Sequence, residues 1–97
     1  MIITEHHIPV MFETEIELSE NAIPLGIIVH DLGRLYIIVL QDEESQMVFR
    51  RFRVLGTKWQ VDENWKYIGS AFFGGSWHVF EDRTPRTNGT TVEETLS

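Results

Sequence analysis

The sequence predicts an all-β domain of six or seven antiparallel strands, arranged as a small sandwich or a partly open barrel with a disordered C-terminal tail, and three observations predict it. Phe12 to Leu18 alternates strictly between glutamate and larger or threonine side chains, two β-branched runs flank a four-residue break, and no stretch repeats its apolar residues with helical period. In chain order, an early strand ends at Ile8-Pro9-Val10. In the next segment, period two puts Phe12, Thr14, Ile16 and Leu18 on one face and Glu13, Glu15 and Glu17 on the other, which describes a half-buried strand with an acidic outer side. Asn21 to Gly26 reads as a turn or loop, because Pro24 removes a ladder donor and Gly26 accepts unusual backbone angles.

Ile27-Ile28-Val29-His30 and Leu35 to Leu40, separated by Asp31 to Arg34, form a hairpin. Both runs are apolar on both faces, so both strands are expected to be central, with cover on each side from elements such as a second sheet. After a break at 42–46, Met47 to Leu55 mixes arginine with apolar residues on both faces and is placed near an edge or a cleft. Gly56 to Lys66 is a polar loop whose Trp59, Val61 and Trp65 fold back over one end of the core. Tyr67 to Phe73 and Ser76 to Glu81 make a second hairpin about Gly74-Gly75. The domain is read as residues 1–81, and 82–97, rich in Thr, Pro, Asn, Gly and Glu, as a flexible tail.

At 97 residues the chain is one domain. The absence of cysteine excludes disulfides, cysteine-ligated metal and thiol catalysis. The N-terminus lacks a signal-peptide pattern and the longest apolar run, Leu35 to Leu40, is too short for a spanning helix, so a cytoplasmic protein without membrane contact is expected. A net charge of −7 argues against direct nucleic-acid binding. The charge is also polarised. Residues 1–46 carry nine acids and one base, for −8, whereas residues 47–80 carry five bases and two acids, for +3.

The candidate binding residues follow from that polarity. Glu13, Glu15 and Glu17 offer carboxylates about 6.6 to 6.8 Å apart along a strand, a spacing that can imitate nucleic-acid phosphates or keep a small β protein soluble. Arg50, Arg51 and Arg53 offer planar forks for an anionic ligand, or for pairing with the glutamates of neighbouring strands. Trp59 and Trp77 are aromatic anchors or core residues. His6 and His7 point to opposite faces, while His30 and His78 are able to meet across a sheet near Asp31 or Glu81, although nothing in the spacing demands a metal site. No catalytic constellation, metal ligand set or cofactor motif is present, and the chain is read as a non-enzyme.

The strand ending Ile8-Pro9-Val10, the stretch Arg50-Arg51-Phe52-Arg53-Val54-Leu55-Gly56-Thr57, Tyr67-Ile68-Gly69-Ser70, and Trp77-His78-Val79-Phe80-Glu81 together resemble a family of small uncharacterised proteins found mainly in bacteriophages and their bacterial hosts. Where members often carry Gly-Thr-Gly, this chain has Gly56-Thr57-Lys58. The resemblance implies a phage context and supplies no catalytic residue. The leading expectation is a non-enzymatic accessory protein that binds and inhibits a host protein, such as a nucleic-acid-binding component of antiviral defence, through its acidic surface. A virion component and a module sequestering an anionic nucleotide signal through the arginine strand are the alternatives. An arginine-rich edge strand pairing with the acidic face of a second copy gives a route to a homo-oligomer.

Overall fold

The structure is a computed structural model and describes residues 1–30 and 33–85. It contains strands β1 (Ile2–His7), β2 (Thr14–Ser19), β3 (Ile23–His30), β4 (Arg34–Gln41), β5 (Met47–Gly56), β6 (Trp65–Phe72) and β7 (Ser76–Asp82). All pairings are antiparallel, and they form two sheets, β1-β4-β3 and β2-β5-β7-β6. The sheets do not close on each other, so the architecture is an open sandwich. Among the described residues no helix is long and apolar enough to cross a membrane.

Period two explains the core. Leu35, Ile37 and Val39 alternate inward from β4 and meet Phe52 and Val54 of β5, Val79 of β7 and Leu18 of β2, with Ile8 and Ala22 closing the ends. Each large side chain so enclosed contributes about 1.5–3 kcal/mol of transfer free energy. Side-chain to backbone bonds tie the two sheets at one end, where Gln41 Oε1 accepts from the Ser19 amide at 2.8 Å and Ser19 Oγ accepts from the Asp42 amide at 3.1 Å.

Four expectations are corrected. β5 is an interior strand flanked by β2 and β7, not an edge, because its arginines find carboxylates on both neighbours. β3 is an edge strand with Ile23, Leu25 and Ile28 exposed, so the second sheet covers one face of the β3–β4 hairpin and not both. Its strand also starts at Ile23, inside the segment read as a turn. Pro24 is tolerated there because an edge strand has one side without ladder partners, and Leu25 is the extra residue at a register shift between Pro24 and Gly26. Trp65 opens β6 instead of lying in the preceding loop. At the boundary read from the sequence, Asp82 ends β7 and is buried, and the Arg83 amide donates to the Asn64 carbonyl at 2.9 Å. The rest of the expected tail, from residue 86, and Asp31 lie outside the described residues.

Candidate functional site

The outward face of β2-β5-β7-β6 collects most of the residues singled out from the sequence. Register places Glu15 opposite Arg51 and Glu17 opposite Phe49 on β2 and β5, then Arg51 opposite Asp82 and Arg53 opposite Phe80 on β5 and β7. Arg53 donates to Asp82 Oδ2 from Nε at 3.1 Å and from a terminal nitrogen at 2.7 Å, and it also meets Glu13 at 3.3 Å. Its guanidinium lies between the rings of Phe12 and Trp65, 4.6 and 4.8 Å from their centroids. Arg51 donates to the Thr84 carbonyl at 3.1 Å. Burial pushes the Asp82 carboxyl up, but hydrogen bonds from Thr84 and the guanidinium groups of Arg53 and Arg51 outweigh it and hold the group at about 2.

Arg50 turns to the inner side. It grips Glu81 with two bonds, at 2.7 and 2.9 Å, and donates to the Ala22 carbonyl at 2.7 Å and the Ser19 carbonyl at 3.3 Å. The three arginine forks therefore serve the fold, with Glu81 and Asp82 of β7 among their partners and Glu13 beside Arg53. Their guanidinium groups are thus engaged within the fold, and the strand that carries them is flanked on both sides.

Internal use of these arginines sharpens the surface charge. The exposed carboxylates are Glu5, Glu13, Glu15, Glu17, Glu20, Glu43, Glu44, Asp62 and Glu63, against exposed cations Arg34, Lys58, Lys66 and Arg83 among the described residues. The acids gather where the β2–β3 turn meets the β4–β5 turn. There the Glu20 amide donates to the Gln46 carbonyl at 2.7 Å, which joins the turn that carries Glu20 to the turn that carries Glu43 and Glu44. Two exposed apolar side chains stand in the same corner, Phe49 at 60% and Met47 at 49%. Glu17 lies directly opposite Phe49, so an exposed aromatic and a carboxylate are neighbours across β2 and β5. Neither Phe49 nor Met47 was singled out from the sequence, although period two already set Phe49 on the face of Arg51 and Arg53.

At the opposite end of β5 a second concavity of about 180 Å³ opens beside Trp59. Trp59 and Val61 stand half in solvent over Leu55, so they shield the outer face and not the end of the core. Trp77 goes the other way, packing against the core with its indole N–H donating to the Phe73 carbonyl at 3.2 Å. The histidines separate. His6 contacts Thr4 on the inner side of β1 at 2.8 Å, and burial lowers its pKa. His7 and His30 flank Tyr36, and His30 also meets Glu5 at 2.8 Å. His78, in the other sheet, contacts Ser70 and Thr57. His30 and His78 thus do not meet, and among the described residues no group of three His, Asp or Glu side chains is placed to hold a metal ion.

Compared with known proteins, residues 1–90 match a family model described as a domain of unknown function (DUF7352). No curated protein and no solved structure matches the chain.

Proposed function

The chain belongs to the DUF7352 family, and we propose that it is a small non-enzymatic accessory protein that binds and inhibits a host protein through the acidic corner formed by β2 and the Met47 end of β5. The observation that carries this reading is an exposed aromatic side chain, Phe49, directly opposite Glu17, at the end of the sheet where the turn with exposed Glu20 is bonded to the turn with exposed Glu43 and Glu44. An aromatic anchor supplies contact area in a small interface, and the surrounding charge steers a basic partner surface and rejects acidic ones. Basic surfaces of the required sign are those that bind nucleic acid, so the partner class is a nucleic-acid-binding host protein. The sequence resemblance to phage proteins supports a phage setting and an anti-defence role, performed in the host cytoplasm.

The test compares the wild-type chain with an E17K/E20K/F49A variant. Immobilised in host lysate, the wild type is expected to retain a nucleic-acid-binding protein and displace its nucleic acid, and the variant to retain roughly tenfold less. Phage carrying the variant should plate less efficiently on defence-positive cells. Equal capture by both chains, or no capture together with unchanged plating, contradicts the reading.

A further inference from the structure

We propose that the concavity at the Gly56 end of β5 is a saccharide subsite that takes one pyranose ring, either free or as a residue of a longer glycan. It is independent of the acidic corner, from which the length of β5 separates it. Its volume of about 180 Å³ is below the range of drug-sized pockets and suits a single ring. Leu55 and Phe80 form an apolar floor and Trp59 stands beside them with 52% exposure. The indole rests on Gly56, where a Cβ would lie 3.1 Å from Nε1, so this glycine is what lets the ring lie against the backbone outside the core. The turn that presents it is strained. Lys58 holds φ 76°, a left-handed conformation costing a residue with a side chain about 1–2 kcal/mol.

The polar side of the site is a relay. Tyr67 OH contacts Ser70 Oγ at 2.5 Å, Ser70 Oγ contacts His78 Nδ1 at 2.7 Å, and His78 Nε2 contacts Thr57 Oγ1 at 2.9 Å. A neutral imidazole has one donor and one acceptor nitrogen, and hydroxyls take either role. The whole chain therefore reverses polarity as a unit, presenting Thr57 as donor or acceptor on demand. That property matches ring hydroxyls, which are both, and not a fixed charge. The apolar C–H face of a pyranose complements the electron-rich face of the indole. Lys58 also lines the concavity and adds a donor for a ring or hydroxyl oxygen, while the exposed carboxylates over the rest of the surface oppose an anionic nucleotide in the same place.

The experiment is a two-dimensional NMR titration of the full chain with methyl glycosides of glucose, galactose, mannose and N-acetylglucosamine, and with trimers of the same sugars. At least one glycoside is expected to shift the Trp59 indole N–H and residues around His78, with Kd about 1–10 mM. W59A should weaken binding at least about tenfold, T57V severalfold, and both should leave the remaining spectrum superimposable. Trimer binding at least about tenfold tighter assigns a glycan residue, and equal affinities assign a free ring. Silence with every sugar, shifts that survive W59A, or shifts from cyclohexanol but from no sugar overturn the proposal.

Discussion

Asp82 has a side chain only 2% exposed, set against Arg53 and Arg51, and its carboxyl lies at about 2 instead of 3.8. A folded-state value below the unfolded one means that the ionised group stabilises the fold, fully above the unfolded value, with loss as pH falls through the folded value. The shift corresponds to about 2 kcal/mol. D82N should therefore be less stable than wild type at neutral pH by about that amount, with the difference shrinking between about pH 4 and pH 2. Urea unfolding across that range checks it, and a difference that does not vary with pH contradicts it. His6 adds a second acid-sensitive contribution: burial keeps it neutral, so its stabilisation is present above 6.5 and is lost as pH falls toward its lowered value. At this scale the sequence showed the arginines but not their principal partners. Glu81 and Asp82 sit where the composition changes, and which of two neighbouring strands satisfies a guanidinium depends on register that no local pattern encodes.

Strands were more legible than their positions. The alternation of β2, the β-branched runs of β3 and β4, and the Gly74-Gly75 turn of the last hairpin, both glycines at positive φ, all correspond to observed elements. The apolar run Ile27 to His30 predicts cover on both faces, and the exposure of Ile28 shows that apolar content does not guarantee it. Charge on both faces of β5 predicts a place near an edge or a cleft, yet the charges of an interior strand are tolerated when carboxylates lie beside them. The Arg50–Glu81 pair shows what such a strand depends on, since it joins β5 and β7 to the β2–β3 turn. E81A, which strands Arg50 in a site where its side chain is 13% exposed, should cost about 3–5 kcal/mol, whereas R50M/E81L should cost about 1–3 kcal/mol, the loss left by the Ala22 carbonyl without its guanidinium donor. Denaturant midpoints of the single and double variants decide this, and an equally large loss in the double variant contradicts it.

Across the molecule, the acid excess of the first half and the basic island behind it partly satisfy each other, through Arg53 with Glu13. The arginines also engage Glu81 and Asp82 of β7 and the carbonyls of Ser19, Ala22 and Thr84, so the surface that solvent meets is acidic, including where two turns converge beside Phe49. The direction of this charge was readable from the chain, but its concentration in one corner was not, because the corner exists only once residues 17–20 and 43–49 are brought together by long-range pairing. The most direct measurement is zero-length carbodiimide crosslinking in host lysate, which joins carboxylates to lysines only in contact. The account predicts crosslinks from Glu17, Glu20, Glu43 and Glu44 to lysines of one nucleic-acid-binding host protein, suppressed by F49A and by added salt. Crosslinks that avoid these four residues, or that persist unchanged in F49A, would contradict it.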